Sequence, residues 1–133
     1  MTKVVFTNGC FDLLHRGHLE MLKYARSLGD FLVVGIDSDQ KIKKTKGNDR
    51  PVYSCEDRIF ILQSIRWVDE VYSFDSEFGL ERLVKEVRPH IMVVGSDWRG
   101  KTIVGSQYAK EVKYFERIED YSTTQTVKDI GNR

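Results

Sequence analysis

Two short runs of apolar residues constrain the fold of this chain more than any other feature of its sequence. Residues 31–36 and 90–94 are apolar almost throughout. A strand with apolar side chains on both sides of its backbone must be covered on both faces, which is typical of the inner strands of a parallel sheet. We therefore expect a sheet packed between two layers of helices.

The segments around these two strands alternate between helical and strand-like apolar spacing. The predicted helices are 17–28, 56–67, 77–87, 107–112 and one that opens at Ser122. The predicted strands are 3–7, 31–36, 70–74, 90–94 and 113–115, and residues 38–54 are predicted to be a polar, lysine-rich loop. This alternation predicts right-handed crossovers and an α/β fold, namely a single Rossmann-like, doubly wound parallel sheet with helices on both faces. We expect one domain spanning residues 1–133.

The composition argues against several classes of protein. With 133 residues, 41% of them hydrophobic, the chain has the size of one domain with one core. Its 21 basic and 20 acidic residues leave a formal net charge of +1, so we expect neither nucleic acid nor a membrane as a partner. No leader and no bilayer-length apolar run is visible, so we expect a cytoplasmic protein whose Cys10 and Cys55 are reduced.

The segment 8–18 leaves the first strand, crosses a turn and begins a helix. A helix N-terminus presents free N–H groups and a partial positive charge, and it therefore favours phosphate. His15 and His18, three residues apart, lie on nearly the same face and can donate hydrogen bonds to phosphoryl oxygens. Gly17 between them allows phosphate to approach the backbone closely.

Two other interpretations of these residues stay open from the sequence alone. The histidines could only cap the helix, with their hydrogen bonds satisfied locally, because motifs of four residues often arise by chance. Cys10, His15 and His18 also have the side-chain types of a zinc site, although no fourth ligand is evident nearby.

The motif His15-Arg16-Gly17-His18 resembles the H-x-G-H signature of the cytidylyltransferase-like nucleotidyltransferases, and residues 9–12 resemble that family's G-x-F-D element. The resemblance implies that His15 and His18 contact the nucleotide phosphates and stabilise the charge that develops there. It also implies nucleotide contacts from the turn residues Asn8, Gly9, Cys10 and Phe11. We expect Asp12 to bind the acceptor phosphate. Alternatively, Asp12 could orient a histidine or a metal-bound water, or it could only cap the helix.

The lysine-rich stretch contains four lysines, Lys41, Lys43, Lys44 and Lys46. A solvated loop is the simplest interpretation, but a basic loop can also close over a bound triphosphate. The family has a lysine here that contacts the reacting phosphate. The spacing between this lysine and Arg58 makes Lys46 the best match, and we expect Lys46 to be catalytic. Lys44 is the second-best match, and we expect it to bind the acceptor phosphate.

Arg58 and Arg66 are eight residues apart on one predicted helix and share a broad face of it. The resemblance implies that both bind the acceptor phosphate or the nucleotide, since the guanidinium fork suits phosphate. The alternative is that both are ordinary surface arginines.

The loop after the fourth predicted strand holds the base and ribose in relatives, which implies nucleotide contacts from Gly95, Asp97 and Trp98. Trp98 could stack on a base or pack on the sheet edge. Asp97 could bind ribose hydroxyls or cap the turn.

Near the C-terminus, Arg117 followed by Ser122-Thr123-Thr124 resembles the family's second signature, with Tyr121 before the serine. The resemblance implies triphosphate contacts from Ser122, Thr123 and Thr124 and a catalytic role for Arg117. A capping box formed by Ser122 and Gln125 is a sufficient structural alternative.

Local segments resemble two subgroups of the family. Residues 8–12, 46–52 and 103–106 resemble the adenylyltransferase domain that forms ADP-heptose, whereas 65–71 and 96–101 resemble glycerol-3-phosphate cytidylyltransferases. Val94 stands where the heptose enzymes usually have a lysine. We favour ATP with D-glycero-D-manno-heptose 1-phosphate over CTP with glycerol 3-phosphate, and a non-catalytic nucleotide-binding module is the alternative from another class. We expect Mg²⁺ held by the nucleotide phosphates, without protein ligands, and a homodimer.

Overall fold

Five parallel strands form one sheet in the computed structural model, which describes residues 2–116 and 123–131, the side chains of 123–126 excepted. The strands are β1 (Val4–Gly9), β2 (Phe31–Asp37), β3 (Glu70–Phe74), β4 (Ile91–Gly95) and β5 (Glu111–Phe115). Their order is β3-β2-β1-β4-β5, and every neighbouring pair is parallel. All five carboxyl ends therefore lie at the same edge of the sheet, and the predicted parallel sheet is confirmed.

Helices connect or follow these strands. They are α1 (Arg16–Ser27), α2 (Asp39–Lys46), α3 (Cys55–Gln63), α4 (Glu77–Val87) and α5 (Thr123–Gly131), and short 3-10 turns occur at Ser96–Trp98 and Ser106–Tyr108. None of the helices in the described part of the chain is long and apolar enough to cross a membrane.

The core lies on both faces of the sheet because successive side chains of a strand point in opposite directions. Val5 and Phe6 of β1 are both fully buried. Val5 packs in a cluster with Leu22 of α1 and Leu62 of α3, whereas Phe6 packs in a second cluster with Val84 of α4. Helices thus cover both faces, as the two apolar strands predict.

The prediction that residues 38–54 form a loop throughout is wrong in its first half, where α2 forms. The Ser38 side chain accepts a hydrogen bond from the Lys41 backbone N–H at 3.2 Å and caps the helix. Ile42 is buried and fastens α2 to the body of the protein. One cap and one apolar anchor are enough here, although the lysines around them suggest a solvated loop.

Two other boundaries differ from the predictions. The helix expected at 107–112 does not form, because Glu111 already pairs with Ile91 as the first residue of β5. The helix expected to reach residue 67 ends at Gln63, where the Ser64 N–H bonds back to the carbonyls of Ile61 and Leu62.

We predict that Gly105→Ala destabilises the protein more than Gly100→Ala. Both glycines have positive φ, +85° and +76°, so both substitutions incur about 1–2 kcal/mol of backbone strain. A Cβ at Gly105 would also lie 2.7 Å from a methyl carbon of Val84, whereas Gly100 has no heavy atom within 4 Å of that position. Overpacking should add about 1–3 kcal/mol at Gly105 alone, measured by urea unfolding. Equal losses in the two variants would contradict this account.

Candidate active site

A cavity of about 430 Å³ opens at the carboxyl edge of the sheet. It lies over β1, where the chain order turns outward to β2 on one side and β4 on the other. Ligands of open α/β sheets bind at such a switch in strand order. The lining residues are Thr7, Asn8, Gly9, Cys10, Met21, Asp37, Lys41, Lys46, Glu77, Leu80, Val94, Gly95, Trp98, Ile103 and Val104.

The structure brings six of the residues singled out in the sequence together around this cavity. They are Asn8, Gly9, Cys10, Lys46, Gly95 and Trp98. The Trp98 side chain is 46% exposed, so its ring is accessible to a ligand rather than packed away. Asp97 is exposed in the same 3-10 turn and is outside the lining of the cavity, as is Lys44 on α2.

His15 and His18 form a stacked pair at the start of α1. Their ring centroids are 3.8 Å apart and their planes differ by 23°. Each Nδ1 accepts a backbone N–H from the other residue, at 3.4 Å for His15 and 3.2 Å for His18. These reciprocal bonds satisfy two N–H groups of the helix start and occupy the Nδ1 atom of each ring. The two histidines therefore do cap the helix.

The turn between β1 and α1 is held in a strained conformation at Phe11, whose φ is +49°. The Phe11 ring is buried and lies 5.5 Å from the ring of His18. A Cβ at Gly9 would come within 3.2 Å of the Phe11 ring. Gly9 therefore allows Phe11 to fold under the turn, and Phe11 can reach a nucleotide only through its backbone.

The structure contradicts the assignment of Asp12 to the acceptor phosphate. Asp12 is 2% exposed, and its carboxylate accepts the backbone N–H groups of Val52 at 2.6 Å and Tyr53 at 2.8 Å. The Arg50 Nε lies 3.5 Å from the same carboxylate. A buried anion of this kind holds the segment before α3 against the turn after β1, and it has no exposed oxygen for a metal-bound water.

The structure also contradicts the role expected for Arg58, which is fully buried. Its guanidinium donates to the backbone carbonyls of Tyr53 at 3.1 Å, Cys10 at 2.9 Å and Asp37 at 2.8 Å. It also pairs with the Asp39 carboxylate at 2.8 Å. Desolvation opposes ionisation of Asp39, but the hydrogen bond from Arg58 prevails and the pKa of Asp39 falls below its usual value. Arg58 joins the ends of β1 and β2 to α2 and α3 instead of binding phosphate.

Arg66 does not reach the cavity either. It is exposed and follows the end of α3, four residues before β3 begins at Glu70. Strands of a parallel sheet all begin at the edge opposite the cavity, so the expected phosphate contact of Arg66 is wrong. The prediction that Arg58 and Arg66 share one helix face is also wrong, because α3 ends at Gln63, before Arg66.

Asp37 and Lys41 line the cavity although the sequence interpretation gave them no role. The Asp37 carboxylate accepts a hydrogen bond from the Cys10 thiol at 3.0 Å and lies 3.4 Å from the Lys41 ammonium. Burial, together with the hydrogen bond and charge of Asp37, raises the pKa of Cys10 to about 11, and Lys46 opposes this only partly. Asp37 ends a buried strand, and this position in the sequence could have identified it as a residue of the ligand site.

The structure describes no side chain of the four residues expected from the C-terminal signature. Arg117 and Ser122 are not described, and of Thr123 and Thr124 only the backbone at the start of α5 is described. In the described part of the chain, no group of three or more His, Cys, Asp or Glu side chains could hold a metal ion. The Cys10 thiol donates a hydrogen bond to Asp37, and the Nδ1 atoms of His15 and His18 accept backbone N–H groups at the helix start. These bonds disfavour the zinc interpretation.

A cavity at a switch in strand order, beside a helix N-terminus that carries two imidazoles, defines a nucleotide-binding α/β domain. A family model described as cytidylyltransferase-like matches residues 6–129. The chain therefore belongs to the cytidylyltransferase-like family of nucleotidyltransferases, which confirms the resemblance based on the H-x-G-H motif.

Curated relatives are similar over nearly the whole chain. The bifunctional protein HldE of Helicobacter pylori strain HPAG1 is 47% identical over 128 residues, which cover 96% of this chain and 27% of that protein. HldE of Aliarcobacter butzleri is 46% identical with the same coverage. The chain thus spans about a quarter of the length of these relatives.

Solved structures share the fold. A lipopolysaccharide core biosynthesis protein from Thermoplasma volcanium matches with a TM-score of 0.69 and 26% identity, covering 92% of this chain and 100% of that one. Pantothenate synthetase from Thermus thermophilus matches with a TM-score of 0.61 and 18% identity, covering 96% and 64%. The second likeness concerns the fold alone.

We predict that Arg58→Met destabilises the protein by about 3–5 kcal/mol, because it leaves the Asp39 carboxylate and three carbonyls without their donor. Arg66→Met, on an exposed side chain of the same segment, is the matched control and should change stability by less than about 0.5 kcal/mol. Urea unfolding measures both. Similar small changes in the two variants would show that the buried guanidinium is not a structural tie.

We predict that iodoacetamide modifies Cys10 slowly at pH 8. A thiol with a pKa of about 11 holds about a hundredfold less thiolate at this pH than one at the ordinary value of 9.0, and the thiolate is the reacting form. Mass spectrometry of the Cys55→Ser protein gives the rate for Cys10 alone, with free cysteine as the control. The rate should keep rising up to a pH of about 11. A plateau near pH 9 would contradict the predicted effect of burial and Asp37.

Proposed function

We propose that this chain transfers the adenylyl group of ATP to D-glycero-D-manno-heptose 1-phosphate, forming ADP-heptose and releasing pyrophosphate. The observation that carries the proposal is the stacked histidine pair at the N-terminus of α1. His15 and His18 are outside the cavity lining, which contains Met21 from the same helix and Lys46. The two imidazoles lie at a helix N-terminus, where N–H groups and the helix dipole favour phosphate.

In this mechanism a phosphate oxygen of the acceptor attacks the α-phosphorus of ATP. The new P–O bond forms as the bond from the α-phosphorus to the bridging oxygen of pyrophosphate breaks, and the electron pair leaves with pyrophosphate. The acceptor phosphate is already an anion and needs no strong base. His15, His18 and Lys46 would donate to the oxygens on which negative charge increases, and preorganised donors of this kind are the main source of catalysis in such transfers.

Mg²⁺ would be held through the phosphate oxygens of the nucleotide, and the proposal assigns it no protein ligand. When bound, the cation neutralises phosphate charge. The protein contributes the lysine and histidine donors around it.

The HldE relatives support the heptose acceptor. The matched region covers 96% of this chain and 27% of the bifunctional protein HldE of Helicobacter pylori strain HPAG1. The segments 8–12, 46–52 and 103–106 resemble the ADP-heptose-forming domain as well. The glycerol-3-phosphate cytidylyltransferase alternative lacks comparable support, because the relatives at 44–47% identity carry the name HldE.

The same proposal includes a cytoplasmic homodimer. Phe60 on α3 is 71% exposed and Phe78 on α4 is 69% exposed, and these two helices cover opposite faces of the sheet. A dimer formed through either helix would cover one of the two phenylalanines.

The test is pyrophosphate release with Mg²⁺, with ATP and CTP each offered to heptose 1-phosphate and to glycerol 3-phosphate. We expect release with ATP and heptose 1-phosphate and at least about a hundredfold less in the His18→Ala protein, the effect of removing one preorganised donor. Release only with CTP and glycerol 3-phosphate would replace the proposed reaction by its alternative, and release with no pair would leave a nucleotide-binding module.

Arg16→Ala is the matched control for His18→Ala. Arg16 lies in the same helical turn, its side chain is 72% exposed, and among the described residues it forms an ion pair with Glu20 at the surface. Its removal should change turnover by less than about twofold, since exposed pairs contribute little. Equal losses in the two variants would assign the effect to the helix start as a whole rather than to the imidazole.

A further inference from the structure

The cavity has two chemically different ends, one on each side of β1. Toward β4 its lining is mainly apolar, with Val94, Gly95, Trp98, Ile103 and Val104. Toward β2 the lining contains the charged side chains of Asp37, Lys41 and Lys46, and Glu77 at the start of α4 is a further charged residue of the lining. An apolar end with an exposed indole suits a base, so the charged end is left for the acceptor, an inference that rests on the proposed function.

Asp37 and Lys41 have hydrogen-bonding capacity that their contacts within the described residues do not use. A carboxylate offers about four lone-pair sites, and Asp37 uses one oxygen for the Cys10 thiol and the other for Lys41. The Lys41 ammonium has three donors and contacts Asp37 with Nζ at 3.4 Å. Both side chains line the cavity, so the remaining acceptors and donors are within reach of a ligand.

The surroundings hold this pair in place. The Asp37 side chain is 15% and the Lys41 side chain 24% exposed. The Asp37 backbone carbonyl accepts from the buried Arg58, and Lys41 lies 5.8 Å from the centroid of the Phe74 ring. Partly desolvated polar groups make stronger hydrogen bonds than exposed ones, so a ligand that meets this pair gains more than it would at the surface.

A carboxylate beside an ammonium complements the hydroxyls of a sugar. Each hydroxyl can donate to the Asp37 carboxylate and accept from the Lys41 ammonium, whereas a phosphate would be repelled by Asp37. We propose that Asp37 and Lys41 are the hydroxyl-binding pair of the acceptor subsite and that they favour a polyhydroxylated sugar phosphate over glycerol 3-phosphate. The acceptor phosphate then faces Lys46 and the histidines.

If Asp37 and Lys41 have only a structural role, the expected results are different. Lys41 follows Asp37 by four residues, and the ion pair could serve only to support the start of α2. Loss of that support would lower the melting temperature and alter the KM values for ATP and for every acceptor together. Loss of a hydroxyl contact changes the sugar phosphate alone.

The variants are Asp37→Asn, which keeps an oxygen for the Cys10 thiol, and Lys41→Met, which keeps the length of the side chain. Lys43→Met, exposed on the same helix and outside the cavity lining, is the matched control. We expect the first two variants to raise the KM for heptose 1-phosphate at least about tenfold, the scale of losing one hydrogen bond to a charged group. The KM for ATP should stay within about twofold in all three, and the control should match the wild type.

An unchanged KM for heptose 1-phosphate, or a parallel rise of the KM for ATP, would overturn the assignment. A second arm, calorimetric titration with ATP, heptose 1-phosphate and mannose 1-phosphate, separates this inference from the proposed reaction. If the wild type releases no pyrophosphate, the proposed reaction is wrong. The calorimetric binding data then test whether Asp37 and Lys41 bind the hydroxyls of the sugar. Weaker binding of a sugar phosphate in both variants, with ATP binding unchanged, supports the pair; equal binding, or no sugar-phosphate binding by the wild type, overturns it.

Discussion

The buried guanidinium of Arg58 is the interaction on which the geometry of the site depends. Its donors reach the backbone carbonyls that follow β1 and end β2, and its charge is balanced by Asp39 in the first turn of α2. A buried charge is tolerated only when it is paired and hydrogen-bonded, so these segments must stay together for the fold to persist. Asp12 makes the complementary connection, since it holds the backbone of Val52 and Tyr53 just before α3.

The side chains to which we assign catalytic roles lie outside this framework, although His15 and His18 also cap α1. Lys46 lies at the last turn of α2, exposed but on the rim of the cavity, whereas Lys41 lies deeper on the same helix. One short helix, fastened by Ile42 and by Arg58, therefore presents two amines at different depths. A rigid element positions catalytic groups more accurately than the mobile loop expected from the sequence.

The sequence was informative where local pattern decides structure and uninformative where distant segments meet. Apolar spacing predicted β3 and α4 with the boundaries observed, and the strand ends Asn8 and Gly95 were correctly placed at the cavity. The burial of Arg58 could not be predicted, because it arises from carbonyls that are brought together only by the folded sheet. The last strand was predicted at 113–115 and begins two residues earlier, at Glu111, for a similar reason, since its pairing with β4 is non-local.

The reciprocal caps of His15 and His18 also tie the two imidazoles to the backbone at the start of α1. Each ring accepts the backbone N–H of the other residue, and the two rings are stacked with their centroids 3.8 Å apart. Substituting either histidine therefore removes the cap of the other residue's N–H together with the stacking neighbour of its ring. The two imidazoles and the first turn of α1 form one structural unit, so a change at one position alters both.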